Sequence, residues 1–573
     1  MSKLLSSVCH LFTSDNVDNN KNEDQIVKKP FNDWPNDAAF NASIEHTRPV
    51  ELVVKGQLPL SVAGTLYRAG PGHYKLQDTA VGAFKLSHWF DGFTHVHRFQ
   101  LVPSANGSCA VFYTSKRQVD PLLDHVRETG KLDMISFGQK RDPCASFFEK
   151  LKCVFEPHRL NPDFVNVGVT ISANPAGLQA ARGNNAKETN GQSRKVLVLK
   201  TDADLMKKID IETLEPIGVT EQRKLHPDLK GPLSCAHAQY DPENGDLYNY
   251  NLDFGRTCTY RIFRSSLETG KTEVLATISD STLPPAYIHS FFLTEDFAIL
   301  AIWGSHFAGY GAKILWERNV MDAIKPFDSN QSVKWLVVDR RHGRGLVSTF
   351  ESLAMFSFHT VNAWQEKQLE NGDSMDIYCD IIQYPNTDML HRLYYDNLVS
   401  TGPGVSKYAG GADKGKTTPS LVRYRLGNVP RGNSGGLKKP ASTQKAEVIF
   451  QVAGPLVGEL PSINPSYSTK KSRFVYSLVD RGYSSFVDGI SKYDTETKVV
   501  TYWMHPRHTP GEAIFIPDYQ REGEDAGYLL SVILDGDKGT SYLLCLDAKT
   551  MTEIGRAECD VAVGMGFHGN FVA

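Results

Sequence analysis

Short apolar runs, each closed by a turn signal, dominate this chain, and long helical periodicity is scarce. KVLVLK (195–200), LYNYNLDF (247–254), AIFIP (513–517), YLLSVILD (528–535) and SYLLCLD (541–547) are rich in β-branched or aromatic residues. Turn sequences such as DPENGD (241–246) and LDGDKG (534–539) punctuate them. Many short strands with frequent turns bury their apolar faces as a sandwich, a barrel or a propeller, so the expected class is all-β. No clean internal repeat of the WD type is visible. Such folds hold long chains in one unit, and a single domain is expected over 45–573. Residues 1–30 carry too little apolar surface to repay the entropy of ordering and are expected to be a disordered leader. Two stretches rich in Gly, Lys, Ser and Asn, near 180–195 and 402–445, are expected as inserted loops, the second broken by strand-like SLVRYRL.

Bulk properties exclude several classes. The formal charge is −3 and the pI about 6.7, without the clustered basic face that nucleic acid demands. Nine cysteines show no CxxC pair, which points to a reducing, cytoplasmic compartment. The opening MSKLLSSVCHLF is too short in apolar residues for a secretory signal. No uncharged apolar run reaches the ~18 residues of a membrane span.

GGADKGKT (410–417) fits the Walker A pattern. That motif works only between a buried strand and a helix whose N-terminus holds the phosphates. Here STGPGVSKYA precedes it and Pro419 with a strand-like run follows. Nucleotide is therefore not expected as a ligand.

Among 18 histidines, four lie at the edges of apolar or small-residue segments: His237 in SCAHAQYD, His289 in AYIHSFFL, His359 in FSFHTVNAW and His568 in GMGFHGNF. Imidazole suits Fe, Zn, Cu and Ni. Taken singly, each is more often a satisfied core histidine than a ligand, and the wide spacing cannot assemble them.

These four settings, in this order, resemble the iron-ligand stretches of the carotenoid cleavage oxygenases. GTLYRAGPGHYKL (64–76), HWFDGFTHVHRF (88–99), KIDIETLEPIG (208–218), GELPSINP (458–465), GEAIFIPD (511–518) and EDAGYLLSVILDGD (524–537) resemble further family signatures, from about residue 45 to the C-terminus. The resemblance implies a seven-bladed β-propeller with a helical and loop cap over the iron face. It implies one Fe(II) held by His237, His289, His359 and His568, with O2 as co-substrate. Glu459 and Glu512 are implied to brace the imidazoles through their free N–H groups. Asp202 is implied at a position where the family usually has Glu; being one methylene shorter, it implies a shifted ring, a bridging water or a different residue in that place, with a solvated surface acid as the plain alternative. Val165 is implied to cover an open iron position, or else is a strand-core valine.

The implied reaction is cleavage of a conjugated C=C bond to two carbonyl products. The stretch 289–320 most resembles fungal members that cleave torulene or β-carotene, which favours torulene. Central cleavage of β-carotene to retinal is the runner-up, then stilbene cleavage, whose Tyr/Lys pair is not found here. A non-catalytic propeller that binds carotenoid or a protein is the rival class. A lipid-soluble polyene implies contact with a membrane or lipid-droplet surface. In DPCASFFEKLKCVFEP (142–157), Phe147, Phe148, Leu151, Val154 and Phe155 recur at helical spacing. This fits an interfacial helix or one packed on the protein's own core; the resemblance favours docking, with Cys144 as a candidate acylation site. The expected location is cytoplasmic and peripherally membrane-associated.

Overall fold

The computed structural model describes residues 33–140, 160–178, 196–368, 374–431 and 443–573. Strand-forming runs separated by turns become seven sheets of four to six strands, mostly antiparallel, and a separate hairpin of Lys75–Thr79 with Gly82–Lys85. Each of the seven sheets is one blade of a propeller, the architecture expected from the sequence.

Burial follows position within a blade. Middle strands such as Val196–Lys200 and Phe297–Ile302 are buried at every residue, because neighbouring blades cover both faces. Outer strands such as Glu447–Ala453 are largely exposed. The continuous apolar runs legible in the sequence are thus mid-blade strands. A single large cluster joins Trp303, Trp335, Tyr250, Tyr384 and Phe93 across blades.

Two pairings close the ring. His568–Val572, from the C-terminal end, pairs with Gly64–His73, Ala69 lying opposite His568. Val53–Gly56, from the N-terminal side, pairs with Glu553–Glu558 of the last blade. Neither blade has its full set of strands until distant parts of the chain meet, and closure protects the edges that an open sheet would expose.

Within the stretch 402–445, the strand-like SLVRYRL is a strand. Ser420–Pro430 is a central blade strand between Ser374–Tyr384 and Glu447–Ala453. Its alternation of Leu421, Val422, Tyr424 and Leu426 buries enough surface to outweigh the polar flanks. Before it come the short helix Val405–Ala409 and the tight turn Lys414–Thr417. The leader 1–30, the loop 180–195 and the segment bearing Cys144, Phe147, Phe148, Leu151, Val154 and Phe155 lie outside the described residues. Among the described residues, no helix is long and apolar enough to cross a membrane.

Candidate metal centre

All seven polar residues singled out in the sequence reach the propeller axis, one from each blade. His568 opens the strand His568–Val572, and His359 lies in Phe356–Lys367. His237 precedes Gln239–Tyr240, and His289 precedes Phe292–Leu293. Glu459 opens Glu459–Ser462, Glu512 precedes Ile514–Pro517, and Asp202 follows Val196–Lys200. The ladder between Phe356–Lys367 and Ser374–Tyr384 slips between Ser357 and Thr360. Such a bulge re-aims a side chain, and here it falls at His359.

The four histidines offer ligand atoms that all lie within 4.8 Å of one another. His568 Nε2 is 2.9 Å from His237 Nε2 and 3.3 Å from His359 Nε2. Three rings are braced through Nδ1: His359 on Glu459 Oε2 at 2.6 Å, His568 on Glu512 Oε1 at 2.8 Å, and His289 on Asp202. A ring that donates its Nδ1–H to a carboxylate presents the Nε2 lone pair. Several lone pairs turned toward one point repel unless a cation sits between them, so the donor set fits one metal ion. Burial lowers the His568 imidazole to about 4 and the His237 imidazole well below its ordinary value. Both are therefore neutral, as a ligand must be, at neutral pH.

Asp202 makes its contact directly. Its two oxygens lie 3.0 and 2.8 Å from His289 Nδ1, and Oδ1 also accepts Ala236 N–H at 2.9 Å. Ser234 N–H donates to the Asp202 carbonyl, tying the two backbone segments together. Neither a shifted ring nor a bridging water is needed. Glu459 is set by its neighbours: a Cβ at Gly458 would meet the Leu478 carbonyl at 1.7 Å, so only Gly fits. Leu460, at φ 50°, turns its N–H onto Glu459 Oε2 at 3.1 Å. This local backbone cost persists because the surroundings impose it.

Two supporting residues were missed in the sequence. Arg68 is 3% exposed and bonds Glu512 Oε2 at 2.9 Å; the same oxygen accepts Gly569 N–H at 2.7 Å. Burial alone would raise the Glu512 carboxyl, but His568, Arg68 and Gly569 together hold it below its ordinary value. The signal was a lone charge inside the apolar run TLYRAGPG, which requires a buried partner. Tyr287 donates its hydroxyl to Asp202 Oδ2 at 2.8 Å. Its signal was the spacing of two from His289.

Of the two readings of Val165, the core valine is the one that its surroundings fit. It is buried among Val96, Val167 and Ile171 in a cluster shared by two blades, whereas Val169 lines the cavity beside the histidines. Val165 and Val169 lie on one irregular segment before the strand Thr170–Ala173, and only the packing shows which of them reaches the cavity. That cavity has an empty volume of about 1240 Å³, part of it open to solvent. Near the histidines its wall is aromatic and aliphatic: Trp89, Phe90, Phe358, Phe567 and Leu460. The Walker-like loop has a helix before it and a strand after it, the reverse of what the motif requires. Its residues Lys414 and Thr417 line this same cavity.

The family model described as retinal pigment epithelial membrane protein matches residues 39–573. The chain belongs to this family, the carotenoid cleavage oxygenases. A Neurospora crassa protein named carotenoid dioxygenase is 44% identical over 95% of this chain and 92% of its own length. A Gibberella fujikuroi protein named torulene dioxygenase is 43% identical over 95% of this chain and 94% of its own. A solved mutant of Synechocystis apocarotenoid oxygenase superposes with TM-score 0.67. It covers 94% of this chain and 98% of its own at 20% identity, a likeness of fold. In this member of the carotenoid cleavage oxygenases, Tyr287 adds a further hydrogen bond to Asp202.

Proposed function

We propose that this protein is an iron-dependent dioxygenase that cleaves one conjugated C=C bond of a carotenoid to two aldehydes. One observation carries the reading: four imidazoles converge, and the three braced by carboxylates, His289, His359 and His568, line a cavity together with aromatic and aliphatic side chains. Held by His237, His289, His359 and His568, Fe(II) would supply the redox chemistry that lets O2 react with an alkene. An O2 molecule and one C=C bond together contain the atoms of two carbonyls, so no further co-substrate is required. Asp202, Glu459 and Glu512 hold the rings. Val169, Phe358 and Phe567 shape the space in which a rigid polyene lies and keep water out of it. Shape can select the bond because a polyene has little freedom to lose.

Torulene is the favoured substrate, since relatives at 43% identity carry that name. The test is expression in carotenoid-accumulating bacteria, with mass spectrometry of the aldehydes and iron analysis of the purified protein. Aldehyde of the length expected from torulene supports the reading; retinal would instead assign central β-carotene cleavage. Bound carotenoid without aldehyde would establish the rival, a non-catalytic binder.

Delivery from a lipid surface is part of the proposal. Tyr310, Leu315 and Trp316 are 60%, 59% and 48% exposed, on and beside the helix Ala312–Glu317. Exposed aromatic and aliphatic side chains clustered this way favour the edge of a bilayer. A cytoplasmic protein docking by this patch would meet its substrate without crossing the membrane.

A further inference from the structure

A buried lysine is costly unless something receives its N–H groups and its charge. Lys492 has Asp525 at 2.6 Å, and Lys200 bonds the Tyr240 hydroxyl at 2.9 Å. Lys207 is 0% exposed and bonds main chain alone. It lies in the strand Leu205–Asp210, opposite Leu199 and Val219. Leu205 and Ile209, on either side of it along the strand, pack in the apolar cluster of Val96, Val165 and Val167. Its Nζ donates to the Gln118 carbonyl and, at 3.5 Å, to the Val165 carbonyl.

Those two carbonyls belong to a closed circuit. Gln118 N–H donates to the Thr94 carbonyl at 3.0 Å. Thr94 N–H and hydroxyl donate to Asn166 Oδ1 at 2.9 and 2.8 Å. Asn166 follows Val165, and its Nδ2 donates to the Asp91 and Gly92 carbonyls, each at 3.1 Å. The short turn Trp89–Asp91 held in this way presents Trp89 and Phe90 to the cavity, and Val169, farther along the same segment as Val165, lines it too. Lys207 closes the circuit from behind this wall.

An uncharged amine has two N–H groups, and two carbonyls receive them; an ammonium has a third. Gln118 Oε1 has no partner among the described residues, but its side chain is fixed by Nε2, which donates to the Leu214 and Lys116 carbonyls at 2.9 and 3.3 Å. The charged and titratable groups around the amine are few. Lys116 pairs with Glu215 at 3.1 Å, and the Tyr67 hydroxyl donates to the Ile211 carbonyl at 3.3 Å. Burial lowers the Lys207 amine from 10.5 to about 7, against the pull of Asp163 in the segment before Val165.

We propose that Lys207 is a positioning residue for this cavity wall, a latch whose amine holds the Val165 and Gln118 carbonyls together and which acid loosens. A lysine whose closed-state value lies below its ordinary one sheds a proton as the segment closes. Opening is therefore favoured as pH falls from about 10 to about 7 and levels off below that. Only the effect on KM rests on the reading of the cavity as a polyene site.

Hydrogen exchange followed by mass spectrometry, on the iron-loaded full chain, reads the latch without turnover. Exchange chemistry quickens about ten-fold per pH unit, while opening lessens by up to the same factor. The wild-type amides of 161–169 therefore exchange at nearly one rate from about pH 7 to about pH 10. In Lys207→Met, which fills similar space without an N–H, that rate climbs with pH. Carotenoid cleavage by Lys207→Met shows KM raised about five-fold with kcat little changed, the loss of about one hydrogen bond. Lys207→Gln, whose amide still donates, lies between. A wild-type exchange rate that climbs about ten-fold per pH unit, or a folded Lys207→Met with the wild-type KM, overturns the proposal. The wild-type exchange profile decides the matter even where Lys207→Met does not fold. Level exchange in a protein that cleaves no carotenoid would mean that the oxygenase reading had failed and that the latch stands.

Discussion

Asp202 and His289 meet through both carboxylate oxygens, 3.0 and 2.8 Å from the imidazole Nδ1. The shorter of the two acidic side chains makes this contact directly. Asp202→Asn should weaken metal binding or slow turnover by about 10–100-fold, as losses behind a metal ligand do. Tyr287→Phe removes one hydrogen bond to the same carboxylate, worth about 1 kcal/mol, and should slow turnover by roughly five-fold. Iron content and steady-state rates of the two variants check the order; a Tyr287→Phe enzyme slower than Asp202→Asn would contradict it.

Replacing His237, His289, His359 or His568 by Ala should each abolish cleavage and lower bound iron, since each removes one of four converging nitrogens. Metal analysis of the folded variants decides this. Full turnover in any of them would remove that residue from the centre.

Arg68 and Glu512 form a buried ion pair. Removing one partner leaves a charge with no solvent, typically a loss of about 3–5 kcal/mol. Arg68→Met should therefore lower Tm and loosen His568 as well, although Arg68 touches no imidazole nitrogen of the centre. An unchanged Tm in Arg68→Met would show that Gly569 N–H and His568 suffice for Glu512.

Asp488 gives a pH signature. Burial, with the charge of Asp480, raises its carboxyl from 3.8 to about 6. An acid whose folded value lies above its unfolded one takes up a proton on folding. Its contribution to stability is greatest in acid and falls away as pH rises from the unfolded value through about 6. The shift bounds the effect at roughly 3 kcal/mol. Asp488→Asn should gain on the wild type as pH climbs from about 4 to about 7. Parallel Tm curves for the two proteins would refute this.

Leu315→Asp with Trp316→Asp should move the protein from liposomes to the soluble fraction. Burying two such side chains contributes about 1.5–3 kcal/mol each when fully transferred, enough for reversible docking. Iron content should not change, because both side chains are exposed and neither reaches the histidines. Wild-type liposome binding in the double variant would place the docking surface elsewhere.

Much of this molecule was legible from residue types alone. Strand runs such as YLLSVILD announce themselves, because a mid-blade strand must be apolar on both faces. The four histidine settings could be matched to a family, and with them Glu459 and Glu512. Local sequence was less informative where two like residues share one short irregular segment. Val165 and Val169 are such a pair, and packing against neighbouring blades separates them. Ser420–Pro430 was half visible: its alternation was plain, but its polar flanks resembled an insertion.

By itself the sequence determined the strand-rich class, the family and the identities of the groups at the centre, because these depend on residue type and order. Tertiary structure alone decided that His237 and His568, far apart in the chain, bring their Nε2 atoms to 2.9 Å. It also decided that Arg68 anchors Glu512 and that Lys414 of a misleading nucleotide-like motif faces the ligand cavity. Closing seven blades into a ring turns distances along the chain into contacts at the axis, and local pattern carries no information about that closure.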